Sequence, residues 1–246
     1  MRIVFREWED SAVARRTAAA LDPDEIQVWI APTLIDQAGL TALVRLLSPD
    51  ERERAARFIV SEPRSQFVVG RVLLRQLLAA CLNIEPVALV FSSTPRGKPC
   101  LDSPFSAGDF RFNLSHSGSL VAVALTRGRE VGVDLERIDL PADWPLLAER
   151  VFSPRELGEL HALPAAQRSA AFFKGWTRKE AYLKATGEGL TVAPAAVEVS
   201  LAPDQDARLL LVPDGSEAAR RWTIRDLPLP PGFAGAVAFE NRRTSV

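Results

Sequence analysis

The sequence predicts an α+β protein built from two halves. Its 246 residues are enough for one large domain or two modest ones, each with its own hydrophobic core. Stretches with the periodicity of strands and stretches with the periodicity of helices both occur along the chain. A break rich in proline at 141–145 is the predicted boundary, which gives the halves 1–138 and 139–246.

The composition is that of an ordinary globular protein of a reducing compartment. Apolar residues make up 47% of the chain and charged residues 25%, and the formal net charge is -1. This balance gives no support for a nucleic acid or an anionic membrane as partner. Cys81 and Cys100 have no CxxC spacing, the N-terminus has no apolar signal-peptide core, and no apolar run is long enough to span a membrane. We therefore expect a cytoplasmic protein.

The first half begins with a short strand at 27–30 and a helix at 40–47. A second helix is predicted to start at Ser48, which would be the N-cap residue, with Pro49 as the first helical residue and Glu51 completing a capping box. This second helix is expected to end near Phe58.

The rest of the first half alternates a long helix with turns and strands. Pro63 is expected to break the chain, and a helix follows over 65–82. Residues 91–106, rich in serine, proline and glycine, are predicted to form turns. Strands are predicted at 110–114 and 119–125, around a polar turn.

A strand at 131–138 and a helix over about 166–185 are the clearest elements that follow, and glycines at 187 and 189 should end the helix. Two strands rich in alanine and valine, 119–126 and 232–240, both follow polar turns. Their likeness is a faint sign of internal duplication.

Two carboxylates lie on one face of the predicted strand 131–138. Strand periodicity places Gly132, Asp134 and Glu136 on the same side, and like charges this close favour a cation between them. Hard divalent cations take carboxylate oxygens, and Gly132 would leave room for a ligand to approach. The alternative is an exposed strand face on which both carboxylates are only solvated.

The predicted helix 166–185 carries a second group of charges. Glu180 and Lys184 are an i, i+4 pair, a common arrangement on helix surfaces. If Glu180 points inward instead, it is a third metal-directed carboxylate or a base, and Lys179 and Lys184 can reach phosphate oxygens.

Two turns offer groups that bind anions. Ser115 and His116 are predicted to lie in a turn between strands, where hydroxyl, imidazole and backbone N–H groups can donate to an anion. A purely structural turn is equally consistent with these residues. Ser115 and His116 are poorly placed as nucleophile and base, since neighbours on an extended chain point apart, although Ser117 is not excluded. The turn Gly97-Lys98-Pro99 could hold a planar or phosphate group. Basic residues are also concentrated in one region: Arg52, Arg54, Arg57, Arg64, Arg71 and Arg75.

Four motifs occur in a fixed order along the chain. They are Gly97-Lys98-Pro99, Phe-Asn-Leu-Ser-His-Ser at 112–117, Val-Gly-Val-Asp-Leu-Glu at 131–136, and Trp-Thr-Arg-Lys-Glu-Ala-Tyr-Leu-Lys-Ala at 176–185. In this order they resemble the Sfp-type 4′-phosphopantetheinyl transferases, over roughly residues 48–190.

The resemblance implies a monomer of two similar α/β subdomains related by pseudo-twofold symmetry, with coenzyme A bound in the cleft between them. It implies transfer of the 4′-phosphopantetheine of coenzyme A to a serine of an apo acyl or peptidyl carrier protein. It also implies that Asp134, Glu136 and Glu180 hold Mg²⁺, which Mn²⁺ could replace, and that Glu180, Lys184 and Asp134 are the catalytic residues. The coenzyme A contacts implied are Arg54, Arg71, Arg75, Gly97, Lys98, Pro99, Ser115, His116, Lys179 and Lys184. Glu51 stands where some relatives have a basic residue, so we expect the site for the 3′-phosphate of coenzyme A to be built differently here.

Three other functions use some of the same residues. A magnesium-dependent hydrolase of a nucleotide or coenzyme A pyrophosphate would use the same carboxylates with water as the nucleophile. A coenzyme A binding module without catalysis would lack one of the three carboxylates, and this chain has all of them. A structural or interaction protein would leave the order of the four motifs unexplained.

Overall fold

The computed structural model describes residues 2–8, 17–18, 20–202 and 205–241. Helices and strands are mixed along the chain, as expected for an α+β protein. The chain forms two compact units, Met1–Gly128 and Arg129–Val246. This division falls before the strand Val131–Arg137, whereas the sequence placed the boundary after it. The reason is strand pairing, because Val131–Arg137 is an edge strand of the sheet in the second unit.

The sheet of the first unit has four strands, β1 Arg2–Glu7, β2 Glu25–Pro32, β5 Phe110–Ser117 and β6 Leu120–Arg127. Their order in the sheet is β1-β2-β6-β5. β1 and β2 are parallel, and the other pairs are antiparallel.

Three helices follow β2: α1 Gln37–Val44, α2 Pro49–Ala56 and α3 Ser61–Leu82. Pro63 lies in the first turn of α3, where a missing N–H leaves no helix hydrogen bond unmade, so the predicted break does not occur. α3 is long and apolar enough to cross a membrane by length and composition, but most of its apolar stretch is buried within the protein. Leu73 and Leu77 of α3 pack in the same core cluster as Val123 of β6.

Residues 91–106, predicted as turns, contain a hairpin. β3 Phe91–Ser93 pairs with β4 Pro99–Leu101, and single turns of 3₁₀ helix lie at Pro86–Ala88 and Phe105–Gly108. The strands are only three residues each, too short for their alternation to be recognised among serines and prolines.

The second unit has an antiparallel sheet of three strands, β7 Val131–Arg137, β10 Trp222–Asp226 and β11 Phe233–Glu240, in the order β10-β11-β7. A separate hairpin pairs β8 Glu198–Val199 with β9 Leu209–Leu211. The helices are α4 Trp144–Val151, α5 Pro154–Ala162, α6 Ala165–Thr186 and the short α7 Ser216–Ala219, with 3₁₀ turns at Gly189–Thr191 and Pro194–Ala196.

The long helix of the second unit was predicted correctly. α6 spans Ala165–Thr186 and ends at Gly187, whose φ of 70° is the left-handed conformation that glycine adopts without strain. Its apolar face packs with Ala236 and Ala238 of β11.

The same local construction starts a short helix in each unit. Ser48-Pro49 begins α2 and Ser153-Pro154 begins α5, and in both the glutamate at the third helical position accepts a hydrogen bond from the backbone N–H of the serine. The distances are 3.2 Å for Glu51 Oε2 and 2.8 Å for Glu156 Oε2. The capping box predicted at Ser48 is therefore confirmed.

Both capping glutamates are buried, and each also binds a cation from the long helix of its unit. Arg75 Nε of α3 donates to Glu51 Oε2 at 2.6 Å, and Lys179 Nζ of α6 donates to Glu156 Oε2 at 2.6 Å. The two long helices have 22 residues each, and Arg75 and Lys179 occupy the same position counted from the first residue of their helices.

Candidate active site

The strand β7 is covered on both faces, which the sequence did not indicate. Val131, Gly132, Val133, Asp134 and Leu135 are all buried. The backbone of α6 covers the Gly132 face, because a Cβ placed on Gly132 would lie 2.1 Å from Ala181 O and 2.3 Å from Ala185 N. The space at Gly132 therefore admits the helix, and the expectation that it admits a ligand was wrong.

Asp134 lies where β7 faces α6. It is only 3% exposed, and its Oδ1 accepts a hydrogen bond of 2.6 Å from Lys184 Nζ. The alternative of a merely solvated strand carboxylate does not hold for this residue. Lys184 is 30% exposed, so the pair joins a buried carboxylate to a cation at the surface.

Glu180 lies one turn before Lys184 on α6 and is half-buried. Burial raises the pKa of the Glu180 carboxyl, and the charge of Asp134 raises it further. The Lys184 ammonium opposes this rise in pKa, and Glu136 adds to it. Asp134, Glu136 and Lys184 therefore all act on the charge of Glu180.

Such a group of oxygens has the donor chemistry of a hard divalent cation. A bound cation would reduce the electrostatic repulsion between Glu180 and the neighbouring carboxylates. Within residues 2–8, 17–18, 20–202 and 205–241, however, no three His, Cys, Asp or Glu side chains are already arranged as a metal site. Lys184 holds one oxygen of Asp134, so the carboxylates fit a metal by chemistry and charge without forming a closed cage.

Lys179 does not face this group of carboxylates, which corrects its predicted contact with coenzyme A. Its side chain is fully buried, and its Nζ lies 2.6 to 3.1 Å from four acceptors. They are Glu156 Oε2 and the carbonyl oxygens of Val151, Pro194 and Val197. Burial lowers the pKa of Lys179, and the Glu156 carboxylate opposes that shift. The ammonium is used within the core of the second unit.

Arg178 is a buried cation that the sequence reasoning missed. Its guanidinium donates to both carboxylate oxygens of Asp226, at 2.8 and 2.7 Å, and to Ser200 O at 2.6 Å. Consecutive residues on a helix point in different directions, so Arg178 and Lys179 fix α6 on two sides. The sequence offers one signal for the Lys179 contact, the Ser-Pro-Arg-Glu capping box at 153–156, which places Glu156.

Ser115 and His116 lie on β5 rather than in a turn. They pair with Ala122 and Val121 of β6, and the turn comes after them, at Gly118. Ser115 is buried and His116 is exposed, as expected for neighbours on a strand. The prediction that they are poorly placed as nucleophile and base for each other is therefore confirmed.

Gly97, Lys98 and Pro99 form the turn and the start of β4 in the β3–β4 hairpin. Gly97 has a φ of 84°, and its N–H donates to Thr94 O at 2.8 Å. Glycine is favoured there because other residues are strained at this φ.

The three arginines predicted to contact coenzyme A differ in exposure. Arg54 is exposed and its guanidinium lies over the Phe67 ring, 4.9 Å from the centroid. Arg71 is 20% exposed and binds Glu51 Oε1. Arg75 is 2% exposed and donates to Glu51 and to the carbonyls of Pro86 and Leu89, so it is a core residue and its predicted ligand contact is corrected.

Comparison with known families and proteins identifies the family of this chain. The family model of the 4′-phosphopantetheinyl transferase superfamily matches residues 130–238, and the model of the 4′-phosphopantetheinyl transferase N-terminal region matches residues 34–127. The chain belongs to the 4′-phosphopantetheinyl transferase superfamily.

Within this family the chain is similar to 4′-phosphopantetheinyl transferase HetI of a Nostoc species, with 38% identity over 87% of either chain. The transferase psf-1 of Bacillus pumilus is 34% identical over 78% of either chain. Sfp of Bacillus subtilis is 30% identical over 78% of this chain and 81% of its own. Among solved structures, the holo-acyl-carrier-protein synthase of Thermotoga maritima is 20% identical over 46% of this chain and 64% of its own, with a TM-score of 0.36.

Proposed function

We propose that this protein transfers the 4′-phosphopantetheine group of coenzyme A to a serine of an apo carrier protein, an acyl or a peptidyl carrier. The observation that carries the proposal is the group of charged side chains on β7 and α6. In this group Lys184 binds Asp134, and the charges of Asp134 and Glu136 raise the pKa of Glu180. The chain that carries this group is a member of the transferase family.

The reaction needs no covalent intermediate on the enzyme. The serine Oγ of the carrier forms a bond to the β-phosphorus of coenzyme A, and the bond from that phosphorus to the bridging oxygen breaks. The products are holo-carrier and 3′,5′-ADP, and the serine proton must go to a base. Positioning and charge neutralisation are the main contributions of a protein to such a transfer.

Glu180 is the candidate base. A base is most effective when its pKa approaches the working pH, and burial together with Asp134 moves the pKa of Glu180 in that direction. We propose that Lys184 offsets the negative charge that develops on the phosphate oxygens.

Asp134, Glu136 and Glu180 are the residues that would hold Mg²⁺, or Mn²⁺ in its place. When bound, the ion would neutralise charge on the pyrophosphate and so favour departure of 3′,5′-ADP. We also propose that the protein acts as a monomer, which light scattering would test.

Intact-protein mass spectrometry of an apo carrier incubated with this protein, coenzyme A and Mg²⁺ tests the proposal. We expect one phosphopantetheine on the carrier serine, and no modification when EDTA is present. Cleavage of coenzyme A without modification of any of several carriers would identify a hydrolase. Binding of coenzyme A without cleavage or transfer would identify a binding module.

A further inference from the structure

We propose that Glu51 is a positioning residue that holds the guanidinium of Arg71 for the 3′-phosphate of coenzyme A. The inference rests on the proposed function, since it takes coenzyme A as the ligand. It adds a role for an acidic residue in a site that binds an anion.

Glu51 holds two arginines of α3 with its two carboxylate oxygens. Arg75 Nε donates to Oε2 at 2.6 Å, and Arg71 Nε donates to Oε1 at 2.7 Å. The Arg71 guanidinium also lies over the Phe91 ring, 4.3 Å from the centroid. A carboxylate on one side and an aromatic face on the other restrict this side chain to one position.

The two arginines differ in what they can reach. Arg75 is 2% exposed and also donates to the carbonyls of Pro86 and Leu89, so its donors are committed to the core. Arg71 is 20% exposed, which leaves part of its planar group at the surface. A guanidinium presents five N–H donors, more than one carboxylate oxygen can accept, and suits the oxygens of a phosphate.

A second guanidinium is held on the same side of α3. Arg54 lies over Phe67, which precedes Arg71 by one helical turn on α3. Phe67 and Phe91 therefore each lie under one guanidinium group, Phe67 under that of Arg54 and Phe91 under that of Arg71. A guanidinium held in position in this way suits a phosphate monoester, which carries more negative charge than either pyrophosphate phosphorus of coenzyme A.

The second unit shows which contacts of Glu51 the fold itself requires. Glu156 repeats the bond to its serine N–H and the bond to a buried cation, both through Oε2. Its Oε1 accepts a backbone N–H, that of Val199 at 2.8 Å, where Oε1 of Glu51 accepts Arg71. Four residues before Lys179 the chain has Gly175, where α3 has Arg71 four residues before Arg75. The bond to Arg71 is thus an addition to a shared structural arrangement.

An acidic residue near an anion site has two opposite interpretations. If Glu51 only neutralises positive charge, removing its charge would strengthen binding of the 3′-phosphate. If Glu51 positions Arg71, removing it would weaken that binding although the local charge becomes more positive. The two interpretations differ in sign, so one series of variants separates them.

The measurement is isothermal titration calorimetry of the full chain with coenzyme A and with 3′-dephospho-coenzyme A. The dissociation constant of 3′-dephospho-coenzyme A divided by that of coenzyme A gives a ratio that isolates the contribution of the 3′-phosphate. We expect Arg71→Met to lower this ratio about ten-fold or more, because an arginine–phosphate pair is a charge-assisted interaction. Glu51→Gln should also lower the ratio, as Arg71→Met does. Glu51→Asp keeps the charge but withdraws the carboxylate, and it should also lower the ratio.

Arg220→Met is the control for net charge, since Arg220 is exposed and paired only with its neighbour Glu217 among the described ion pairs. It should leave the ratio unchanged. An unchanged ratio in Arg71→Met would overturn the proposal. A higher ratio in Glu51→Gln, or a ratio in Glu51→Asp equal to that of the original protein, would show that Glu51 neutralises rather than positions. If Glu51→Gln does not fold, Glu51→Asp decides between the two.

Failure of this inference is distinct from failure of the proposed function. If the protein modifies a carrier but Arg71→Met leaves the ratio of dissociation constants unchanged, only the role proposed for Arg71 and Glu51 is wrong. If no carrier is modified by the original protein, the transferase proposal fails whatever the ratio.

Discussion

At the scale of single residues, Gly132 determines how closely α6 approaches β7. An added methyl group would fall 2.1 Å from a backbone oxygen and 2.3 Å from a backbone nitrogen, and neither atom belongs to a side chain that can rotate away. The close contact in turn brings Glu180 and Lys184 to the level of Asp134. A residue predicted to make room for a ligand instead sets the geometry of the charged group.

Gly132→Ala should therefore destabilise the protein by about 3 kcal/mol or more, because the helix backbone must move. Urea denaturation measures the change in free energy of unfolding. Gly158→Ala is the matched control, since Gly158 lies in α5 with no atom near its added Cβ, and it should be neutral or stabilising by up to about 1 kcal/mol. Equal effects at both glycines would contradict the packing argument.

Glu180→Gln should reduce the rate of carrier modification by a factor of about 100 or more, because the amide can neither accept the proton nor carry charge. The fold should be retained, since burial and Asp134 already disfavour the charge on Glu180. Mass spectrometry gives the rate and thermal unfolding checks the fold. A folded variant that keeps most of its activity would show that Glu180 is not the base.

The stability that Glu51 contributes should depend on pH. Burial opposes ionisation of Glu51, but the hydrogen bond from Arg75 and the charges of Arg71 and Arg75 outweigh it, so the pKa lies below its ordinary value of 4.5. A depressed pKa stabilises the folded state above pH 4.5, and this contribution is lost as the pH falls through the folded-state pKa. The difference in free energy of unfolding between the original protein and Glu51→Gln should be largest near neutral pH and shrink below about pH 4.5. A difference that does not vary with pH would contradict this assignment.

At the scale of elements, α6 is held by two consecutive buried cations. Lys179 binds Glu156 and three carbonyls on one side, and Arg178 binds Asp226 and Ser200 on another. These bonds fix the rotation of the helix, which leaves Glu180 and Lys184 on the side that faces β7. The position of the candidate base thus depends on the buried ion pairs of Arg178 and Lys179.

Lys179→Met should destabilise the protein by about 3–5 kcal/mol, because Glu156 would remain as a buried carboxylate without its cation. The double variant Lys179→Met with Glu156→Gln should recover part of that loss, which urea denaturation would measure. Lys174→Met, at a partly exposed lysine of the same helix, should cost less than about 1 kcal/mol. A small effect of Lys179→Met would contradict its assignment as a core residue.

Sequence reasoning succeeded where local signals decide the structure. The capping box at Ser48 and the end of α6 at Gly187 depend on a few adjacent residues, and both were predicted. It failed where a distant partner decides. The sequence of β7 does not reveal that α6 covers its Gly132 face. The helical position of Lys179 does not reveal that its side chain binds Glu156 in the core. Asp134 and Lys184 were both selected, but their direct contact was not.

At the scale of the whole molecule, each unit has its own sheet and its own long helix, and the compact units do not follow the proline-rich break. Proline marks where a helix or strand cannot continue, whereas strand pairing decides which unit a segment joins. β7 is joined to the second unit by its ladder with β11. The location of a boundary is therefore a property of pairing over long distances, which a single sequence does not display.

Coenzyme A should stabilise the protein as a ligand that binds the folded state only. At a concentration of 100 times its dissociation constant the gain is about 2.7 kcal/mol, which for a chain of this size raises the melting temperature by about 5–10 °C. Differential scanning fluorimetry with and without coenzyme A measures this shift, and the same concentration of adenosine is the control. No shift at saturating coenzyme A would contradict binding.

Helix ends are ordinarily the first parts of a fold to fray, yet α2 and α5 each begin at a residue tied to the interior. The oxygen that caps the first turn is the same oxygen that receives the cation of the long helix, Oε2 of Glu51 in one unit and Oε2 of Glu156 in the other. Opening the first turn of the short helix would therefore leave a buried cation without its carboxylate partner, so we expect the turn and the long helix to open together. Cooperativity between a surface turn and the core is built into one carboxylate in each unit.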